Sequence, residues 1–373
     1  MMSPNENRQY GKFVRRFFIS ISVLLASIAV FVYICDPYLY YHTSGVYNRT
    51  YMKNLNARYQ MASMVKHFEY DTLIAGTSMV HNFKEDSMNK KLKAASFNAS
   101  LSGSSAKEQR KVVELALASK NVKHVYWELN YDSLGGGKDR MDPSFPAYFY
   151  DTNYFNDLPY LVSYSSLQRI DSQWKLKDKI NMAADPLQYY KFGEDRKPVT
   201  LDNIGVNIEK RDNPLPVPAG HTYETYMDSF KENVLPVVEE HEDVRFTFLY
   251  TPYPVTRHVA VYNSTPEMME GRLQFKRDVY NQLSELENAD LYDFQDEASI
   301  TFNLGNYMDR SHYFTYINEW MLDYMAKKPA IQSKDEYEKK IDSLEDQVEK
   351  FEFDQLTESY KPRAEQTASL SLK

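Results

Sequence analysis

Residues Phe17 to Cys35 read FFISISVLLASIAVFVYIC, 19 positions without a charge. As a helix rising about 1.5 Å per residue, the run is about 28 Å long, close to the hydrocarbon thickness of a bilayer. Arg8, Lys12, Arg15 and Arg16 precede it, against Glu6 alone. Basic flanks stay on the cytoplasmic side. The expectation is an uncleaved, single-pass signal anchor, with residues 1–16 cytoplasmic and everything from Asp36 outside. A cleaved signal peptide is the rival reading. Against it, no small-x-small site precedes a polar start, and the run is long for a signal core. Cys35 has no lipobox, because bulky Val32, Tyr33 and Ile34 precede it, and it reads as a helix-end residue.

The charge balance follows the same division. The formal net charge is −8, and the four bases and one acid before Asp36 leave −11 for the remainder. The outer part reads as an acidic soluble domain. One cysteine permits no intrachain disulfide and no CxxC-type zinc site. These features suit the outer face of a bacterial cell membrane. No basic patch occurs beyond the N-terminus, so nucleic acid is not expected as a partner. Glycine is scarce, at 12, and neither GxGxxG nor GxxxxGKS/T occurs. No cofactor is expected. His42, His67, His81, His124, His221, His241 and His258 show no HxH or HExxH spacing, so a metal-dependent phosphoesterase ranks low.

Beyond the anchor, 36–53 reads as an aromatic stem, and Tyr38, Tyr40 and Tyr41 suit the headgroup level. A domain over 54–330 follows. A helix is expected over 54–68, a strand over 71–75, a helix over 87–92 and a strand over 95–98. The capping box Ser105-Ala106-Lys107-Glu108 starts a helix running to about Ser119. A strand over 123–129 completes a β–α–β–α–β succession, the mark of a parallel sheet with crossover helices. The fold class expected is α/β, a flavodoxin-like parallel sheet sandwiched by helices. Residues 135–220 are irregular, with a polar helix near 163–182, and read as an insertion supplying a lid or groove. Later come a helix over 222–241, a strand over 245–250, a helix over 266–287, a strand over 289–292 and a last helix over 313–327. Tyr253-Pro254 and Arg257-His258 read as a loop after a strand, placed where it could line the groove. In the charged tail 331–373, Tyr337, Ile341, Leu344, Val348 and Phe351 recur at helical spacing. A single helix packed on the domain fits this better than a coiled coil, with Asp335–Lys339, Glu336–Lys340 and Asp346–Lys350 as supporting pairs.

In such sheets ligands bind beyond the C-terminal strand ends. Four elements fall there. Gly76-Thr77-Ser78 follows the first strand, with a serine on a tight turn. Asn98-Ala99-Ser100-Leu101-Ser102-Gly103 follows the second, and Glu128-Leu129-Asn130 the third. Asp309-Arg310-Ser311-His312 opens the last helix. A nucleophilic serine needs a base, and the base an orienting carboxylate. Each element alone has a bland reading: turn or cap serine, loop glycine, loop asparagine, N-cap aspartate beside a surface histidine. His81, three positions after Ser78, reads as a helix-turn residue at the site's edge. Their joint placement is what carries weight.

Taken together, these four blocks resemble the SGNH (GDSL-like) hydrolase superfamily. The resemblance covers roughly 70–132 and 300–326. It implies Ser78 as nucleophile, His312 as base and Asp309 as its orienting acid. It implies an oxyanion hole from the Ser78 and Gly103 N–H groups and the Asn130 amide. Thr77 replaces the usual Asp of Gly-Asp-Ser, and Asn130 does not sit in a Gly-x-Asn-Asp context. With the anchor and the stem Asp36-Pro37-Tyr38, the chain looks most like membrane-anchored members similar to the teichoic-acid D-alanyl-transfer and alginate O-acetylation proteins. That likeness implies an extracytoplasmic O-acyltransferase or esterase acting on a cell-envelope polysaccharide or teichoic acid, beside a multipass membrane-bound O-acyltransferase. The alternative is an inactive glycan-binding or assembly protein on the same fold.

Overall fold

The computed structural model describes residues 4–43, 57–176, 191–193, 195–205 and 207–359. Parts of the expected stem, of the 54–68 and 163–182 helices and of the tail lie outside them. In chain order the elements begin with α1 (Pro4–Cys35), α2 (Ala57–His67), β1 (Thr72–Ala75), α3 (Glu85–Leu92), β2 (Ser96–Asn98), α4 (Ala106–Ser119) and β3 (His124–Glu128). Next are α5 (Tyr131–Leu134), α6 (Leu158–Leu161), α7 (Tyr164–Leu176), α8 (Tyr223–Asn233), α9 (Leu235–Glu239) and β4 (Arg245–Tyr250). The last are α10 (Val255–Ser264), α11 (Pro266–Leu283), β5 (Ala289–Asp293), α12 (Ala298–Thr301), α13 (Thr315–Lys327) and α14 (Lys334–Glu349).

The chain forms two compact units, one of residues 1–67 and 146–189, the other of 68–145 and 190–373. The stretch expected as one insertion over 135–220 is therefore divided between them, and α2 belongs with the N-terminal segment. In unit one, α1 is long and apolar enough to cross a membrane. Where it is described, the stem has turns and bends but no helix or strand, as expected, and local hydrogen bonds hold it. Asp36, fully buried at a φ of +38°, accepts hydrogen bonds from the N–H groups of Tyr40, Tyr41 and His42 and from the Tyr160 hydroxyl. A short carboxylate side chain tolerates that left-handed backbone by bonding locally.

Unit two is built on a five-stranded, wholly parallel sheet in the order β2-β1-β3-β4-β5. β1 registers Ala75 against Trp127, and β3 registers Glu128 against Leu249. Strands this short and this apolar are covered on both faces, as parallel strands require. Ile74, Tyr126 and Leu249 join α13 residues Ile317, Trp320 and Met321 in one layer. The alternating neighbours face the other way: Trp127 is fully buried, stacks on Phe248 and donates from Nε1 to Gln109 Oε1 on α4 at 2.9 Å. α4, α8 and α11 pack together on that side. The order 2-1-3-4-5 reverses direction between β1 and β3, so the crevice beyond their C-terminal ends is the place for a ligand.

Three local differences from the expected elements have physical causes. The helix over 222–241 is two, because Pro236 cannot donate to the preceding turn and α9 starts anew around it. The loop expected around Arg257-His258 is helix α10, whose Val255, Thr256, Val259 and Val261 are β-branched and disguise a helix in local sequence. The last helix begins at Thr315 rather than 313, and Asp309–His312 precedes it in a tight loop closed by a Tyr307–Tyr313 bridge.

α14 is a single helix packed on α10 and α11, and Tyr337, Ile341, Leu344 and Val348 are its buried stripe. Asp346–Lys350 pairs at 2.8 Å. Lys340 turns instead to Asp296 at 2.7 Å, and among the described residues Asp335 and Lys339 form no ion pair. Tyr337 donates to Asp293 Oδ2, which also holds the buried Lys276. The tail helix is thus part of the core of unit two. Leu344→Ala should destabilise this unit by about 2–5 kcal/mol, as a buried leucine truncation does. The exposed Glu345→Ala should stay within about 0.5 kcal/mol of the parent. Denaturant unfolding of both variants in detergent checks this, and equal midpoints would show that α14 is not integral.

Candidate active site

β1 delivers the chain to Gly76 at the edge of the sheet, where there is no room for a side chain. A Cβ on Gly76 would lie 2.7 Å from Glu128 Cβ and from Glu128 Oε2. Thr77 follows, and its N–H and Oγ1–H both donate to Glu128 Oε2, at 2.6 and 2.8 Å. Glu128 is 1% exposed. Burial pushes its carboxyl up, and the hydrogen bonds from Asn130 and Thr77 oppose that only in part. Ser78, next in the chain, is half-buried, and successive turns return the backbone through His81 N–H to Ser78 O and Phe83 N–H to Val80 O.

Ser78 Oγ lies 2.8 Å from His312 Nε2, across 234 positions of chain. His312 Nδ1 lies 3.0 and 2.9 Å from the two oxygens of Asp309. Asp309 Oδ1 also accepts the N–H groups of Ser311 and His312, at 2.9 and 2.8 Å, so the carboxylate folds its own loop while it holds the ring. Burial alone would raise the Asp309 carboxyl, but the His312 ring and these N–H donors bring it down to about 2. An ionised Asp309 fixes the tautomer: the proton sits on Nδ1, and the Nε2 lone pair faces the serine hydroxyl. Arg196 Nη1 approaches the outer oxygen of Asp309 at 3.2 Å.

The two halves of this relay are tied together. Tyr313 is buried, and its hydroxyl donates to Met79 O at 2.5 Å. The Phe192 ring stands edge-on to His312 with centroids 5.3 Å apart. Asn82 grips the Phe192 backbone through both ends of its amide, at 2.9 and 3.0 Å. His81 is buried, and burial, with Lys191 nearby, pushes its ring down to about 3, so it stays neutral. Arg257 bridges loops, donating to Asp132 Oδ2 at 2.6 Å and to Ser311 Oγ, and lies over the Tyr253 ring at 4.1 Å. A groove of about 630 Å³ opens beside His312, lined by Lys197, Val199, Ile204, Asp309, Arg310 and His312 among others.

The three oxyanion candidates fare differently. No protein group among the described residues accepts from the N–H of Ser78 or Gly103. Gly103 is exposed at a φ of +62°, a turn position that favours glycine, with open space where a Cβ would be. Asn130 is already committed. Its Nδ2 donates to Glu128 Oε1 and Tyr253 Oη, both at 2.7 Å, and its Oδ1 caps α5 through Asp132 N–H at 2.8 Å. Asn130 is thus more than the plain loop residue of its bland reading, since it caps α5 and ties Glu128 to Tyr253. To reach an oxyanion the amide must release one of its two acceptors. The sequence marks Glu128 only as a neighbour of Asn130 and Arg257 only as part of a loop that could line the groove, since Thr77 and Asp132 lie 51 and 125 positions away from them.

No protein-family model matches the chain, and no curated protein does.

Two outcomes test this geometry. Glu128→Gln should destabilise unit two by about 1–3 kcal/mol, because an amide hydrogen then faces donors it cannot accept from; a loss under about 0.5 kcal/mol would show the contact to be incidental. The Asp309 carboxyl carbon should titrate near 2 rather than at the ordinary 3.8. A depressed carboxylate stabilises the fold above its unfolded value, and that contribution fades as pH falls from about 3.8 through about 2. An NMR midpoint at or above 3.8 contradicts the assigned contacts.

Proposed function

We propose that the chain is a membrane-anchored serine acyl-ester enzyme of the SGNH type, an O-acyltransferase or esterase acting outside the cytoplasmic membrane. The observation that carries the reading is the unbroken line Ser78 Oγ, His312 Nε2, His312 Nδ1, Asp309 carboxylate. It lies at the C-terminal edge of the sheet, at the strand-order reversal. The substrate class, a cell-envelope polysaccharide or teichoic acid with a multipass O-acyltransferase as neighbour, rests on the sequence resemblance alone.

In this mechanism His312 Nε2 takes the Ser78 proton as Oγ attacks the acyl carbonyl. The resulting imidazolium is held by Asp309, whose charge is already ionised and oriented. The free N–H groups of Ser78 and Gly103 are suited to the developing oxyanion. Collapse expels the alcohol, which takes the proton from His312. A sugar hydroxyl or water then attacks the acyl-Ser78 ester, with His312 again as base. The last turns of α1 support an uncleaved anchor, because Val32, Cys35 and Asp36 are built into the buried part of unit one.

A fluorophosphonate probe and a fluorogenic acetyl ester test the proposal on the full chain in detergent. Ser78→Ala should abolish labelling and lower turnover by at least about 10³-fold. Asp309→Asn should lower it by about 10²–10⁴-fold without preventing folding. Retained turnover in Ser78→Ala sinks the nucleophile assignment. Absent labelling of the parent chain together with retained glycan binding favours the inactive binding module.

A further inference from the structure

Unit one carries an exposed aromatic surface that the catalytic proposal does not use. Among the described residues outside α1, eight large hydrophobic side chains are exposed, and five of them fall between 154 and 174: Tyr154, Phe155, Leu158, Tyr164 and Trp174. Phe155 is 97% exposed and Tyr164 73%. Such a concentration is uncommon on a surface that meets only water.

Where these residues sit on the anchor decides what covers them. Along α1, Phe17, Phe18, Val23, Leu24 and Val30 are all more than half exposed, as a lipid-facing helix is. The last two turns differ. Ile28 and Ala29 are half-covered, Val32 is fully buried and Cys35 nearly so, while Phe31, Tyr33 and Ile34 stay open on the other side. The covering elements are α6 and α7, which pack on α1. From Ile28 to Cys35 is about 10 Å of helix rise. The protein therefore descends beside α1 to a depth that the apolar run assigns to the outer leaflet. Leu158 lies on α6, and Tyr164 and Trp174 lie on α7, outside the contact with α1. Asp36 locks the junction, accepting the Tyr160 hydroxyl at 2.8 Å together with the stem N–H groups, and Gln173 donates to Pro37 O at 2.7 Å. Lys66 Nζ lies 4.9 Å above the Tyr154 ring and also donates to the hydroxyl of the buried Tyr40.

We propose that the 154–174 segment is an interfacial collar, seated in the headgroup and upper acyl region of the leaflet from which α1 emerges. The occupant of this surface is the bilayer itself. Aromatic side chains favour that zone, with an apolar body and a polar tip. The collar makes the anchor more than a tether, since it fixes the tilt of unit one on the membrane. The inference rests on α1 spanning a bilayer and is independent of the chemistry at Ser78.

The test uses the full chain reconstituted in phosphatidylcholine–phosphatidylglycerol vesicles free of other proteins. Trp127→Phe and Trp320→Phe together leave Trp174 as the single tryptophan. Lipids brominated high on the acyl chain should quench its emission strongly, those brominated near the bilayer centre less, and the emission should be blue-shifted relative to detergent-free water. A second reporter spares the core tryptophans: Cys35→Ala with Phe155→Cys, spin-labelled at 155. Its collision rate should favour oxygen over a water-soluble nickel complex. Quenching absent at every depth, with nickel the better collider at 155, overturns the proposal and leaves a protein neighbour as the cover. Loss of serine-probe labelling alone, with quenching intact, would count against the catalytic reading and not against the collar.

Discussion

The buried carboxylate of Glu128 is the constraint on which the site depends. Taking a carboxylate out of water is expensive, and it persists only where donors meet its lone pairs. Here three do: the Thr77 N–H, the Thr77 hydroxyl and the Asn130 amide. The donors come from the ends of β1 and β3, on the two sides of the strand-order reversal. Ser78 is therefore positioned against the sheet itself and not by a free loop. Gly76 belongs to the same device, because the approach of Glu128 to the backbone leaves no volume for a Cβ. A glycine, a threonine and a glutamate from two strands together set where one hydroxyl points.

His312 is placed by different means. Asp309 satisfies two N–H groups of its own loop before it meets the imidazole, so loop geometry and ring orientation are one arrangement. The neighbouring Tyr313 then bonds the carbonyl of Met79, one residue past the serine. The separation of Ser78 and His312 is bridged twice, once by the hydrogen bond between them and once by this second tie. Phe192 stands edge-on against the ring, held by Asn82 from the serine's own turn. Motion of one half would have to break contacts made by the other.

Much of this was legible from local pattern, and what was not has a common cause. The capping box at Ser105 and Glu108 forms as its spacing requires, both of its hydrogen bonds present. Short apolar runs bounded by turns placed all five strands within a residue or two. Helix α10 was hidden by its valines, and Pro236 split a helix whose hydrophobic period runs straight across the break. The segment 146–176 carries a helical period in α7, but nothing local says that it joins α1 rather than the sheet. Glu128 and Asn130 stood in a motif with a role assigned only to the asparagine. The structure gives the carboxylate the structural work and finds the amide occupied, which no pattern of neighbours could reveal.

On the proposed acyl-ester reading, the choice between transfer and hydrolysis would follow from exposure and not from the Ser78–His312–Asp309 line. His312 is about a quarter exposed at its side chain, and Ser78 is half-buried. Both side chains are thus partly open to solvent. Nothing in the Ser78–His312–Asp309 line distinguishes a sugar hydroxyl from water, since both are deprotonated by the same nitrogen. Selectivity for a sugar must then come from filling the groove beside Asp309 and Arg310, so that the acceptor displaces water as it binds. An acceptor that covers the ring gains an effective concentration far above that of a dissolved alcohol. On the proposed reading, the direction of acyl transfer would be set by what occupies the groove, and the same three residues would serve as an esterase with the groove empty.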